Sequence, residues 1–164
     1  MHTGYSLFNI FSIFKPTVYI QISSALVTLK NFKTGEVISE VPEMAVRLPP
    51  KAMILAVGPE ARQVSVLEQV DIVNPFGHPR SLVSDFNAAQ QFLKYQFRRV
   101  QSRSMLVLPP KVVLHPMGSP EGGFTQIELR ALREIALGAG AAHVTMWTGR
   151  PLSDQEVVSR SFLK

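Results

Sequence analysis

Side chains able to do chemistry are few and scattered in this chain. Its four histidines are His2, His78, His115 and His143. None is spaced three or four residues from another, and no His-Glu-x-x-His occurs, so the sequence offers no zinc site. Cysteine is absent. That removes a thiolate nucleophile, a disulfide framework and cysteine-held metals. A Ser-His-Asp set can be assembled on paper, but no Gly-x-Ser-x-Gly elbow supports it. The run GSPEGG at 118–123 precedes a helix and resembles a phosphate cradle. It lacks the Lys-Ser/Thr of a Walker loop, and Pro120 removes one amide, so it reads as a loop before a capped helix. No catalytic residue and no metal ligand is assigned.

Two apolar segments and one basic cluster are more telling. Leu7, Phe8, Ile10, Phe11, Ile13 and Phe14 crowd the N-terminal sixteen residues, and Pro16 ends any helix there. A secretory signal would carry a basic start and a small-residue cleavage site, and neither is visible. If helical, this segment is apolar over most of its circumference, unlike an ordinary surface helix. The second segment is Met105-Leu106-Val107-Leu108, between Arg98, Arg99 and Arg103 on one side and Lys111 on the other. Four apolar residues in a loop among cations suit a lipid surface better than water. Nucleic acid is disfavoured, because stacking aromatics are not seen beside these charges and the net charge is only +5.

These residues are carried by a recognisable series of elements. From Val18 the pattern has period two, with Val18, Ile20 and Ile22 on one face, then Ala25, Val27 and Leu29. Short strands are expected at 36–41, 44–48 and 53–57, while 64–73 is ambiguous and 74–80 is a loop. Asp85 is an N-cap ahead of the stripe Phe86, Ala89, Leu93, Phe97 and Val100. A buried strand follows at 111–115. Thr125 and Glu128 form a capping box for a helix with Leu129, Leu132 and Ala136 inside, ended by Gly138 and Gly140. A last strand covers 143–147. Hairpins, helix, strand, helix, strand imply an α/β mixed sheet with helices packed on it, in the ribonuclease-H-like order. The chain is 46% hydrophobic and 18% charged over 164 residues, which suits a folded unit with a real core. Its longest apolar stretch falls short of the ~20 residues that span a bilayer.

In order and spacing, SLFNIFSIFKPTVYIQISSALVTLK, ILAVGPEA, NPFGHPRSLVSDFNAAQQFLKYQFRRV and FTQIELRALREIALGAGAAHV resemble the MreB family of bacterial actin-like, rod shape-determining proteins. The resemblance covers about residues 7–152, the first lobe of such a protein. It implies an actin-like core (subdomain IA) at 17–31 and 83–152, with a small β-rich subdomain IB inserted at 32–82. Residues 1–16 become a membrane-anchor-like segment and 153–164 a tail. Asp85 lies at the subdomain junction in the family and takes a structural role. The family binds ATP. Its first phosphate loop carries Asp, then Gly-Thr, where this chain has Gln21, Ser23 and Ser24. Glutamine cannot stand in for a metal-facing carboxylate, and a Cβ restricts close backbone approach to phosphate. The family's acidic pair before a proline is replaced by Thr148, Gly149 and Arg150. The expectation is therefore a truncated, degenerate relative with no cofactor, ATP binding being lost, and no enzymatic activity. It would be cytoplasmic and peripheral at the inner face of the cytoplasmic membrane, held there by Leu7, Phe8, Ile10, Phe11, Phe14, Met105 and Leu106. Its partners would be full-length MreB-like filaments or a membrane morphogenesis protein. Alternatives are an ATPase completed by a second chain, an adaptor in a membrane pilus or secretion complex, and a decayed fragment.

Overall fold

The computed structural model describes residues 15–47, 53–67, 69–118 and 120–163. Strands β1 (Thr17–Ile22), β2 (Val27–Asn31) and β3 (Val37–Glu40) form an antiparallel meander. Strands β4 (Met44–Arg47), β5 (Met53–Val57) and β6 (Asp71–Val73), with helix α1 (Pro59–Leu67) between the last two, make a separate unit. Then come α2 (Phe86–Val100), β7 (Lys111–Pro116), α3 (Gln126–Gly138), β8 (His143–Met146), α4 (Asp154–Ser159) and a 3-10 turn (Ser161–Leu163). The large sheet has the order β3-β2-β1-β7-β8. β7 runs parallel to both β1 and β8, so the sheet is mixed, as its hairpins and crossover helices require. This is the actin-like, ribonuclease-H-like α/β arrangement.

Period-two patterning decides which side chains meet. Val18, Ile20 and Ile22 of β1, Val112 and Leu114 of β7, and Val144 of β8 face α2 and α3 and are buried. On α2 the core residues are Ala89, Phe92, Leu93, Phe97 and Val100. Phe86, expected in that stripe, is 41% exposed, because the first turn overhangs the sheet; Phe92 fills the core instead, edge-on to Phe76. On α3 the inner face is Leu132, Ile135 and Ala136, with Leu129 only half-buried.

The caps form as expected: Asp85 accepts from the Ala88 amide, and Thr125 and Glu128 close a complete capping box. The C-terminal end of α2 is held from β2, where buried Asn31 donates to the Val100 carbonyl at 2.9 Å. The ambiguous stretch 64–73 resolves into the end of α1 and the short β6. Ala25 is not in a strand; it belongs to the β1–β2 turn.

Within 32–82, β3 adds to the large sheet, and only β4–β6 with α1 builds the small three-stranded sheet β5-β4-β6. Charge pairs brace this unit internally and fix α2 to β3 beside it. Glu43 holds Arg62 through two 2.6 Å hydrogen bonds, and Glu40 accepts from Arg99 at 2.7 Å and from Gln96 at 3.2 Å. Gly58 turns the chain from β5 into α1 at φ +75°, and a Cβ there would fall 2.5 Å from Glu40 Oε2. The positive φ favours glycine, and a Cβ would also push the Glu40 carboxylate aside.

Leu132→Ala removes a fully buried side chain and is expected to cost about 2–5 kcal/mol. Thr125→Ala removes only a cap, about 1 kcal/mol. Urea melts giving the reverse order would show that this inner face is wrongly placed.

Candidate functional site

In open α/β sheets, ligands gather outside the carboxyl ends of parallel strands. Here β1 and β7 pair in register from Thr17 with Lys111 to Ile22 with Pro116, so both strands end together. At this edge Gln21 is half-buried and its Nε2 donates to Met117 Sδ at 3.6 Å. Ser23 closes the β1–β2 turn on itself. Its amide donates to the Leu26 carbonyl, and its Oγ both accepts from the Leu26 amide and donates to that same carbonyl, all at 2.9 Å. Ser23 and Ser24 keep negative φ, so the turn forms without a left-handed residue. Two of its four amides are thereby used within the turn. Ser24 is exposed and gives its carbonyl to Asn74 Nδ2 at 2.8 Å. Gln21, Ser23 and Ser24 are thus brought together, in a hairpin closed partly by its own groups and partly by Met117 and Asn74.

Beyond β8, Arg150 lies in the stretch that replaces the family's acidic pair. It binds Glu156 through two guanidinium nitrogens, and its carbonyl accepts from Trp147 Nε1 at 2.7 Å. The segment 147–163 folds back over the second face of the large sheet, with Leu152 and Val157 buried on Tyr19 and Val113. The stretch 153–164, expected as a tail, is therefore docked through residue 163. Beneath it lies a buried polar chain: the Leu152 amide donates to Tyr19 Oη at 3.2 Å, and Tyr19 Oη lies 2.7 Å from His115 Nδ1. Burial, partly offset by a bond to the Gly149 backbone, holds His115 below its ordinary pKa. Burial also raises Tyr19. With Tyr19 donating, Nδ1 is the acceptor of a neutral imidazole. His115 is thus a satisfied structural residue, as its sequence position suggested.

The opposite end of the sheet carries the other candidates. Pro16 is joined to β7 by the Lys111 amide, which places Pro16 at the end of the sheet beside Pro110. Leu7, Phe8, Ile10, Phe11 and Phe14 lie outside the described residues. Met105 and Leu106 are described, and they project into solvent: Met105 is fully exposed, Leu106 64% and Val107 61%. Of the neighbouring cations, Arg99 is paired to Glu40, and its guanidinium lies 5.5 Å from the Tyr95 ring. The expectation that no aromatic adjoins the basic cluster fails at Tyr95, four residues before Arg99 and hence on the same helix face. Among the described residues no group of three His, Asp or Glu side chains is placed to hold a metal ion. No described helix is long and apolar enough to cross a membrane.

The family model described as MreB/Mbl protein matches residues 17–150. The chain belongs to the MreB/Mbl family. It is 28% identical over 135 residues to the cell shape-determining protein MreB of Haemophilus influenzae, covering 80% of this chain and 37% of that protein. MreB of Escherichia coli K12 is 32% identical over 115 residues, 67% of this chain and 31% of that one. The chain therefore spans about a third of the length of these curated relatives. Among solved structures it superposes on MreB5 of Spiroplasma citri bound to ADP with a TM-score of 0.64 at 23% identity, covering 82% of this chain and 38% of that one. A non-polymerising MamK mutant bound to AMPPNP gives 0.63 at 11% identity, covering 80% and 40%. These likenesses give the actin-like fold.

The docked segment of this MreB/Mbl chain supplies a pH prediction. Arg150, with help from the Ser153 cap, depresses Glu156 to about 2. A depressed carboxylate stabilises fully above its unfolded pKa, roughly 4.3, and loses that contribution as pH falls toward the folded value. The sequence has one tryptophan, Trp147, edge-on to Phe162 at 5.5 Å, so it reports docking. Its emission should shift as pH falls from about 4 to about 2. In Glu156→Gln that step should vanish. An unchanged step in the variant would mean that another group titrates beside Trp147.

Proposed function

We propose that this chain is a membrane-attached element of an MreB-type cytoskeleton that acts by binding rather than by turning over nucleotide. The observation that carries the reading is the Met105–Val107 projection at the sheet end that also holds Pro16. Large apolar side chains fully in water beside cations are the arrangement of an interfacial contact, and two weak anchors hold where one is reversible. In this reading the protein is cytoplasmic and peripheral at the inner face of the cytoplasmic membrane, with no role for nucleic acid. It joins or modulates filaments of full-length MreB-like proteins, and the relatives' name, cell shape-determining protein, supplies the process. Attachment adds effective concentration along such a filament.

Independence from ATP is part of the same proposal. Gln21 presents an amide where a magnesium-bound phosphate calls for a carboxylate, and Ser23 occupies with its own hydroxyl a turn amide that a phosphate would take. The residues at these strand ends do not fit a magnesium nucleotide, and no step is derived through one.

Vesicle flotation tests the attachment. Wild type should float. Phe8→Asp/Phe11→Asp should largely remain below, and Met105→Ser/Leu106→Ser should fall between. Full burial of one Phe or Ile is worth roughly 1.5–3 kcal/mol against about 1 kcal/mol for one cation, so flotation should depend weakly on salt. Equal flotation of all three proteins, or none by wild type, removes the membrane reading. Titration calorimetry with Mg-ATP should give no saturable heat. Micromolar binding would favour an ATPase completed by a second chain.

A further inference from the structure

Behind the projecting loop lies a cavity of about 200 Å³, with Lys94 and Arg98 at its mouth and Phe97, Gln101, Leu108 and Ala139 in its wall. One water takes up about 30 Å³, so there is room for a small polar group. Lys94 and Arg98 are four apart on α2, hence like charges on one helix face, an arrangement that costs helix stability. Two other cations near the small sheet are neutralised, Arg99 by Glu40 and Arg62 by Glu43. Among the described residues Lys94 and Arg98 take part in no ion pair. An anion at the mouth would relieve both at once.

The wall adds a second requirement. Gln101 is 2% exposed; its Nε2 donates to the Phe97 carbonyl at 3.2 Å, while its Oε1 is buried with no partner. Ser104 Oγ, three residues on at the base of the projecting loop, is also buried and unpartnered. Buried polar groups are nearly always satisfied, so the orphan Gln101 Oε1 in the wall, with Ser104 Oγ one turn further along the chain, calls for a missing partner. Gln101 Oε1 needs a donor, and a serine hydroxyl can give or accept. A hydroxylated group supplies both. Val107 and Leu108, which wall the cavity, belong to the loop that carries Met105 and Leu106. Their movement outward into lipid would open the cavity further at Gln101.

We infer that this cavity is a seat for the headgroup of an anionic phospholipid bearing free hydroxyls, of the phosphatidylglycerol type. Lys94 and Arg98 hold the phosphodiester, and Gln101 Oε1 and Ser104 Oγ take the hydroxyls. The inference rests on the membrane reading, which brings the loop to a bilayer, and it adds lipid selectivity to an attachment otherwise driven by apolar insertion.

The test uses dihexanoyl phosphatidylglycerol below its micelle concentration, followed by the amide signals of residues 94–108, with phosphatidic acid, phosphatidylcholine and glycerol phosphate as parallel arms. Saturable binding is expected for phosphatidylglycerol, weaker binding for phosphatidic acid, and none for phosphatidylcholine. Lys94→Gln/Arg98→Gln should weaken phosphatidylglycerol roughly 20–30-fold, taking about fivefold per cation at an anionic surface. Gln101→Met keeps the shape and should erase the preference over phosphatidic acid. Equal response to phosphatidylcholine, or wild-type affinity in the double variant, overturns the seat. Glycerol phosphate binding as tightly as the lipid would make a soluble phosphate ester the occupant and overturn it too. Flotation on phosphatidylcholine vesicles with a silent titration overturns the seat and leaves the membrane reading standing. A saturable titration without flotation does the reverse.

Discussion

The parallel pairing of β1 with β7 is the constraint on which the other placements depend. It joins residues 94 positions apart, from Thr17 with Lys111 to Ile22 with Pro116. Closing so long an interval costs chain entropy before any contact repays it. The repayment is the apolar face that the pairing completes: Val18, Ile20, Ile22, Val112 and Leu114 become one surface for α2 and α3. The same register aligns the two strand ends, and with them the two ends of the sheet that differ in chemistry. At one end Gln21 meets Met117; at the other Pro16 meets the loop leading into β7.

Helix α2 then distributes charge between these regions. Its inner face is core, while its cations have different fates. Arg99 turns to Glu40 and fastens α2 to β3 at the edge of the large sheet. Lys94 and Arg98 face a cavity beside the projecting loop. A 3.6-residue period separates neighbours in sequence onto different faces, so a run that reads as one basic cluster splits into a structural cation and two available ones.

The second face of the large sheet shows how a polar core can be accommodated. Tyr19 and His115 sit on the side of β1 and β7 away from the main helices, stacked with ring centroids 6.0 Å apart. The docked C-terminal segment excludes water from them, and the Leu152 amide completes their chain of hydrogen bonds. Two ion pairs at the rim, Lys30 with Asp154 and Arg150 with Glu156, are exposed and individually weak. Leu152 and Val157, buried beneath them, hold the segment down.

Local patterns in the sequence determined the strands of β1 and β2, the capped starts of α2 and α3, the mixed-sheet class and the MreB/Mbl resemblance, because each is set by neighbours a few residues apart. The exposed Met105–Leu106 loop was legible for the same reason: apolar residues between prolines and cations have no strand or helix to join. Tertiary structure alone decided the rest. It gave Phe92 and Ile135 the core positions expected of Phe86 and Leu129, since only the assembled sheet sets how far each helix overhangs it. It placed β3 in the large sheet, where hydrogen bonding to β2 satisfies a strand that the sequence assigned to the insert. It brought Tyr95 against Arg99 and left Gln101 and Ser104 with unpartnered atoms. Whether a buried polar atom finds a partner depends on groups distant in the chain, and no local pattern records that.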